Sequence, residues 1–125
     1  MPIVASGYER YVGSIIGSGH CVPFVREVSG APPTSHWRRG SKAREVIDLE
    51  SGTLIATFDK NGRYGNHVDG RSHAAIFARL LSNGINAFDQ WLGRPVAERT
   101  IMFRDGRGDP ANDGDQYYVI EIEEG

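Results

Sequence analysis

The architecture can be inferred outward from one segment, GSGHCVPFVREVSG, which covers residues 17–30 and contains the only cysteine of the chain. Apolar residues at positions 22, 24, 25 and 28 recur at helical spacing, and Gly30 is a typical helix end. Pro23 fits this helix only in the first turn, where its missing N–H removes no hydrogen bond. The pattern therefore predicts a helix over residues 21–29 with Cys21 at its N-terminus.

Beyond residue 52 the pattern changes from helical spacing to short runs rich in β-branched and aromatic residues. Strands are predicted at residues 53–58, 73–77, 85–91, 100–104 and 116–123. The connecting segments, including residues 34–42, are interpreted as polar loops. One or two N-terminal helices followed by a mostly antiparallel sheet indicate an α+β fold. We expect residues 1–125 to form a single domain, since this length supports one core.

Composition and charge exclude several classes of function. The chain has 14 cationic and 16 acidic residues, a formal net charge of −2, which argues against a nucleic-acid or anionic-membrane binder. Its longest charge-free run, residues 11–25, is shorter than the roughly 20 apolar residues that span a bilayer. The first ten residues lack the basic and apolar regions of a signal peptide, so none is predicted. A single cysteine excludes an intramolecular disulfide framework and a multi-cysteine zinc finger.

The position of Cys21 suggests a reactive thiol. Unpaired N–H groups and the helix dipole favour a thiolate at a helix N-terminus. Gly17 and Gly19, just before it, leave room for a substrate to approach the sulfur. A buried, inert cysteine is the alternative, because free cysteines are commonly core residues. The local sequence leaves both interpretations open.

A nucleophilic thiol needs an imidazole beside it, and the chain has four histidines. His20 is adjacent in sequence to Cys21, but its side chain is expected to point away around the start of the helix. His36 and His67 lie in predicted loops. His73 begins an apolar strand, which places it on a rim that faces a groove. It is therefore the candidate base, with a structural histidine as the alternative.

The third member of such a site should come from the next strand, where Asp89 is the candidate. A two-residue turn at residues 83–84 would leave His73 about 16 Å along the strand from the residue facing Asp89. Contact then requires a wider connection, centred near Leu81, that pairs residue 73 with Asp89 or Gln90. We predict this wide connection. Gln90 stays an alternative because a shift of one residue exchanges the two faces of a strand.

An ordered set of short segments now resembles the papain-like bacterial cell-wall amidases. The segments are GSGHCV (17–22), WRRG (37–40), GT (52–53) with IATF (55–58), HAAI (73–76) and DQW (89–91). The resemblance is greatest to the cysteine, histidine-dependent amidohydrolase/peptidase family and to small amidase-like proteins linked to type VI secretion. It covers roughly residues 13–120. It implies a papain-like fold in which the cysteine-bearing helix packs on an antiparallel sheet.

Carried over residue by residue, the resemblance assigns three roles. It makes Cys21 the nucleophile and His73 the general base of an acyl transfer through a thioester. Asp89 stands where that family usually has Glu, so the orienting role is kept with a shorter side chain. An Asn that often follows is absent, and Gln90 and Trp91 occupy its neighbourhood.

The implied substrate is an amide bond in the stem or cross-link peptides of peptidoglycan. As substrate-binding residues we expect Trp37, Gln90 and Trp91, with Tyr64 and the Arg38–Arg39 pair as further candidates for the groove. Core packing for the tryptophans and a solvated loop for the arginines remain alternatives. Without a signal peptide, the protein would be made in the bacterial cytoplasm and exported to act in the periplasm of a target cell. A cognate immunity protein is the partner implied by the resemblance.

Other sites were weighed against this one. Gly17 and Gly19 do not make a dinucleotide loop, because Val22 stands where a third glycine is needed. His67, Asp69 and His73 offer a zinc alternative without a typical spacing. The Asp-rich residues 105–115 lack a calcium-loop pattern and are interpreted as a solvated turn. We expect no metal or cofactor. The non-enzyme alternative is an inactive papain-like module that binds the cell wall.

Overall fold

A six-stranded antiparallel sheet forms the centre of the computed structural model, which describes residues 2–123. The strand order across the sheet is β1-β6-β2-β3-β4-β5. The strands are β1 (Trp37–Lys42), β2 (Leu54–Ala56), β3 (Ala74–Leu80), β4 (Gly84–Trp91), β5 (Arg94–Met102) and β6 (Tyr118–Ile122). This sheet and the helix packed on it confirm the α+β class predicted from the sequence.

The helix α1 (Cys21–Ser29) has the bounds that the sequence predicts. Pro23 lies in its first turn, and Gly30 ends it in the left-handed region at φ 74° and ψ 15°, which glycine adopts without strain. Within residues 2–123 it is the only α-helix, since the other N-terminal element is a 3₁₀ turn at Tyr8–Tyr11. No helix in these residues is long and apolar enough to cross a membrane.

Alternation along the strands divides the core between the two faces of the sheet. One face carries α1, whose Phe24 and Val25 are buried with even-numbered strand residues such as Ile76 and Phe88. The opposite face has a smaller cluster of odd-numbered residues, among them Phe77. Because successive strand residues point to opposite faces, adjacent residues at one end of a strand can serve different parts of a site.

Residues 34–42, predicted as a polar loop, are a strand from Trp37 onward, so that prediction is wrong. The strand β1 lies at the sheet edge and pairs with β6, with Trp37 opposite Ile122. Of its six residues only Trp37 is buried, and the following Arg-Arg-Gly-Ser-Lys run has no apolar alternation. Edge strands of this kind form through pairing with a neighbour, which a local pattern does not reveal.

The connection between β3 and β4 also differs from the prediction. Leu80 pairs with Ile85, and the Leu81 N–H donates to the Gly84 carbonyl at 2.8 Å, so the turn is tight at residues 81–84. The register shifts between Phe77 and Arg79, which places a β-bulge in β3. The wide connection centred near Leu81 is therefore wrong. The extra residue in β3 gives a register that differs from both alternatives considered above, the two-residue turn at residues 83–84 and the wide connection centred near Leu81.

The Asp-rich loop of residues 105–115 is a solvated turn only in part: residues 105–109 are exposed as predicted, whereas Asp113 and Asp115 are buried. Asp113 is fully buried, and its Oδ1 accepts hydrogen bonds from the N–H groups of Arg104 at 2.8 Å and Asp115 at 2.9 Å. Asp115 is also buried, and its Oδ2 accepts the N–H of Asp105 at 2.9 Å. These carboxylates therefore satisfy the backbone donors of the loop.

Candidate active site

An open cleft of about 710 Å³ lies where the start of α1 meets the ends of β3 and β4. Cys21 and His73 are among the residues that line it, together with Tyr64 from the loop before β3 and Trp91 at the end of β4. The helix N-terminus places Cys21 at the cleft, while His73 directly precedes the first residue of β3. The fold thus brings the predicted nucleophile and the predicted base to one opening.

Cys21, His73 and Asp89 form a connected set of interacting side chains. The His73 Nε2 donates to the Asp89 Oδ2 at 2.7 Å, because an ionised carboxylate can only accept. The His73 side chain also interacts with the Cys21 thiol. Both the histidine and the aspartate are buried behind the sulfur. This is the geometry of a thiol, an imidazole and an orienting carboxylate.

Thr57 fixes the backbone of His73. The Thr57 Oγ1 accepts the His73 N–H at 3.0 Å, and the Thr57 N–H donates to the His73 carbonyl at 3.0 Å. The same hydroxyl donates to the carbonyl of Arg71 at 3.0 Å. Thr57 follows β2, the neighbour of β3 in the sheet. The pairing of these two strands therefore fixes the position of the His73 backbone.

The charges of the site favour a thiolate–imidazolium pair. Burial works to raise the pKa of Cys21, but its hydrogen bond to His73, the charge of His73 and the Tyr64 hydroxyl outweigh burial and lower that pKa. Burial works to lower the pKa of His73, but its hydrogen bonds to Asp89 and Cys21 and their charges raise the pKa of His73 to about 9. Together, the lowered pKa of Cys21 and the raised pKa of His73 stabilise the thiolate and the imidazolium.

Two arginines that the sequence analysis missed hold Asp89. The Arg94 Nη1 lies 3.0 Å from Oδ1, and the Arg99 Nε lies 2.7 Å from Oδ2. Burial works to raise the pKa of Asp89, but His73 and Arg99 lower it, so the carboxylate stays charged although it is fully buried. Both arginines come from β5, which pairs with β4. The chain has many arginines, and only strand pairing identifies these two.

Tyr64 is a further polar neighbour of the sulfur. Its hydroxyl lies 3.6 Å from Sγ in a hydrogen bond, and the side chain is buried beside the Trp37 ring at a centroid distance of 5.2 Å. Burial and the charge of Cys21 raise the pKa of Tyr64, so the hydroxyl remains protonated and can donate to a thiolate.

Comparisons with known proteins identify the family. A family model described as domesticated amidase effector 2 matches residues 2–120. The chain belongs to the domesticated amidase effector 2 family.

Its relatives span a eukaryote and a bacterium. It is 38% identical over 106 residues to domesticated amidase effector 2 of Ixodes scapularis, covering 82% of this chain and 70% of that protein. It is 30% identical over 119 residues to a type VI secretion amidase effector 2 protein of Salmonella typhi, covering 85% of this chain and 88% of that protein. These matches confirm the resemblance to type VI secretion amidase effectors.

The fold agrees with that assignment. The solved structure of a type 6 secretion amidase effector 2 superposes with a TM-score of 0.83 and 29% sequence identity, covering 97% of this chain and 95% of that chain. The chain is therefore an amidase effector in family and in fold, with one helix on a six-stranded antiparallel sheet.

Of the three residues expected to bind substrate, Trp91 lines the cleft of this amidase effector, and it is 41% exposed. Trp37 does not reach the cleft: it is fully buried, and its Nε1 donates to the Pro32 carbonyl at 3.0 Å. Its ring packs against Tyr64 in the core and leaves no surface for a substrate. The Arg38 side chain forms an ion pair with Glu123 and does not line the cleft either.

Gln90 is also fully buried and is not among the residues that line the cleft. Its amide contacts the backbone of Ile16 and His20 in the segment that leads to Cys21. Asp89, not Gln90, contacts the imidazole, because adjacent residues of β4 point to opposite faces of the sheet.

The residues of the zinc alternative are held in separate pairs. The His67 Nε2 lies 3.0 Å from the Asp59 Oδ2, and Asp69 forms an ion pair with Arg71. His73 is bound to Asp89. Between residues 2 and 123, no group of three or more His, Cys, Asp or Glu side chains is arranged to hold a metal ion.

Proposed function

We propose that the chain is a cysteine amidase that hydrolyses amide bonds in peptidoglycan stem or cross-link peptides. In this proposal Cys21 is the nucleophile, His73 the general acid and base, and Asp89 the group that orients the imidazole, in a papain-like arrangement. The observation that carries it is that His73 is hydrogen-bonded to Asp89 and interacts with the Cys21 thiol, whose sulfur lies at an open cleft. Membership of an amidase effector family supports the reaction class.

The reaction follows from the protonation states of the site. The Cys21 thiolate attacks the amide carbonyl carbon, forming a C–S bond and a tetrahedral oxyanion. As the C–N bond breaks, the His73 imidazolium donates its proton to the leaving amine, and a thioester remains. Neutral His73 then takes a proton from water while the water oxygen attacks the thioester. The C–S bond breaks, the acid leaves, and thiolate and imidazolium are restored.

The helix N-terminus contributes to this chemistry. The Cys21 N–H is one of the first N–H groups of α1, which have no partner within the helix. A donor there lies next to the sulfur that attacks and can stabilise the oxyanion as its charge develops. In the proposed mechanism this N–H is one oxyanion donor.

The lining of the cleft supports a peptide that carries carboxylates. In the part of the chain that the structure describes, the residues lining it include His20, His67 and Arg99 but no acidic side chain. Trp91 adds an exposed aromatic face. Peptidoglycan stem peptides bear free carboxylates, which such a surface accepts more readily than it accepts cationic peptides.

The delivery route and partner are proposed from the bacterial relative. The Salmonella typhi protein is named as a type VI secretion amidase effector. We propose the same route here, with action in the periplasm of a target cell. A cognate immunity protein in the producing cell is part of that proposal.

Mass spectrometry of muropeptides after digestion of purified sacculi tests the function, with Cys21→Ala as the control. We expect wild type to release peptide fragments cut at one kind of amide bond and Cys21→Ala to release none while remaining folded. An inactive wall-binding module would leave sacculi intact and bind them equally well with either residue at position 21. Intact sacculi with wild-type protein would refute the amidase proposal.

A further inference from the structure

We infer that Gln90 is a positioning residue that aims the backbone N–H of Cys21 at the reacting carbonyl oxygen. The inference rests on the proposed function, and it starts from an amide that is fully buried between β4 and the segment before α1. A buried amide has a high cost unless its polar atoms are paired, so its partners show what it holds.

Within residues 2–123, the hydrogen-bond partners of the Gln90 amide are backbone atoms of Ile16 and His20, which begin and end a turn over residues 16–20. The Gln90 Oε1 accepts the Ile16 N–H at 3.0 Å, and Nε2 donates to the Ile16 carbonyl at 2.8 Å. The same Nε2 donates to the His20 carbonyl at 2.8 Å. Both N–H donors of the amide are therefore used, one on each end of the turn.

The turn itself needs this support. Gly17 and Gly19 have φ values of 57° and 92°, which only glycine adopts readily. Glycine-rich segments lose the most conformational entropy on ordering. Its internal hydrogen bond runs from the Gly19 N–H to the Ile16 carbonyl at 3.0 Å and does not extend to His20. His20 precedes α1 without a side-chain cap, so its own side chain does not hold the first turn of the helix.

The hydrogen bond to His20 acts directly on the proposed oxyanion donor. The His20 carbonyl and the Cys21 N–H belong to one peptide group, which is planar. Fixing the carbonyl direction therefore fixes the direction of the N–H, which points the opposite way. Gln90 holds that carbonyl at 2.8 Å, so it sets the aim of the N–H without touching substrate.

Asp89, which precedes Gln90 in β4, also contributes to the site. Asp89 points to one face of the sheet and holds His73, while Gln90 points to the other face and holds the chain before Cys21. One dipeptide on a single strand thus sets the base and the oxyanion donor relative to each other. A regular strand provides this because adjacent side chains point to opposite faces.

The test separates positioning of the N–H from activation of the sulfur. In Gln90→Met the amide is replaced by an apolar side chain of similar length, and Gln90→Asn keeps the polarity but is one methylene shorter. With soluble muropeptides we expect kcat to fall roughly 10²-fold with little change in KM, as for a displaced catalytic group. The rate and pH dependence of Cys21 alkylation by iodoacetamide should stay at wild-type values, because alkylation needs no oxyanion donor.

Asn86→Ala is the matched control. Asn86 is a buried amide on the same strand and the same face as Gln90, and its Oδ1 has no hydrogen-bond partner among residues 2–123. We expect this variant to change thermal stability while leaving kcat near the wild-type value. That result shows that the loss at position 90 is not a general effect of altering a buried amide in β4.

The outcomes are distinguishable. Wild-type kcat in folded Gln90→Met or Gln90→Asn overturns the inference. Parallel loss of kcat and alkylation also overturns it, since the residue would then be supporting the whole site. If wild type itself leaves muropeptides uncut while its thiol is alkylated, the proposed amidase function is wrong, and the role inferred for Gln90 is refuted with it.

Discussion

His73 and Asp89 meet diagonally across β3 and β4, with Nε2 and Oδ2 2.7 Å apart, although they are not opposite each other in the sheet. Continuing the pairing of Ile76 with Phe88 places residue 73 two positions beyond the direct partner of Asp89. Residues two apart on a strand share a face, so both side chains point the same way and the longer imidazole closes the gap. The β-bulge between Phe77 and Arg79 sets this register.

Asp89→Asn is expected to narrow the pH range of activity from the alkaline side. In the proposed mechanism, wild-type activity rises as Cys21 ionises and falls as the His73 imidazolium loses its proton, for which the pKa is about 9. The carboxylate raises that pKa, so its neutralisation moves the alkaline limb to lower pH. We also expect kcat to fall roughly 10²-fold because proton donation is impaired. Rates of muropeptide hydrolysis against pH measure both effects.

Glu98→Gln is the control for Asp89→Asn. It removes the same charge from β5, the next strand, where Glu98 is exposed and lies 3.8 Å from Arg79. The pH profile should match wild type, since exposed charges are screened by solvent. An unchanged profile in Asp89→Asn would mean that the carboxylate does not act on His73.

Tyr64→Phe is expected to make the thiol less acidic. The hydroxyl 3.6 Å from Sγ contributes to lowering the pKa of Cys21, and the variant removes it while keeping the ring. The pH midpoint of iodoacetamide alkylation should therefore rise. His73→Ala should raise it further, because it removes both a hydrogen bond and a positive charge. Tyr118→Phe, on β6, is the matched control with an expected wild-type midpoint; no shift in Tyr64→Phe would contradict the assignment.

Arg99→Met is expected to destabilise the fold. It leaves the buried Asp89 carboxylate with one arginine, Arg94, and loss of a partner to a buried charge costs about 3–5 kcal/mol. The free energy of unfolding in urea measures it. Arg79→Met removes an exposed arginine from an ion pair of 3.8 Å and should change stability by less than about 0.5 kcal/mol.

The ion pair between Arg99 and Asp89 also predicts how stability depends on pH. The pKa of Asp89 is lower in the folded protein than its ordinary value. Its charge therefore stabilises the fold above the pKa of the unfolded state, and this contribution is lost as pH falls through the folded pKa. Wild type should lose more stability than Arg99→Met on acidification from pH 6. Equal losses would show that Arg99 does not act through this carboxylate.

The two tryptophans are expected to respond oppositely to truncation. Trp37 is fully buried against Tyr64, so Trp37→Phe should lower the free energy of unfolding by about 1–3 kcal/mol with little effect on KM. Trp91 lines the cleft, so Trp91→Ala should raise KM for muropeptides with a small effect on stability. Urea unfolding and steady-state kinetics of both variants decide this. A raised KM in Trp37→Phe alone would contradict the placement.

Much of the site was predictable because its signals are local. Pro23 in a first turn and Gly30 at a helix end bound α1 and so locate Cys21 at its N-terminus. The ordered segments around His73 and Asp89 supplied the other candidates. Arg94 and Arg99 could not be found this way, since their role depends on which residue of β4 they face. The exclusion of Trp37 from the cleft likewise follows from packing, which residue type does not reveal.

The amino-acid sequence by itself determined the α+β class and the helix over residues 21–29, because backbone preferences and short-range periodicity act within a few residues. It also supplied Cys21, His73 and Asp89 as candidates for the site, with Gln90 as an alternative to Asp89. Tertiary structure alone decided the register of β3 against β4, the edge strand β1, and the separate partners of Asp89 and Gln90. The physical reason is that hydrogen bonds between strands and burial of charge join residues far apart in the chain, and a bulge of one residue changes which of them meet.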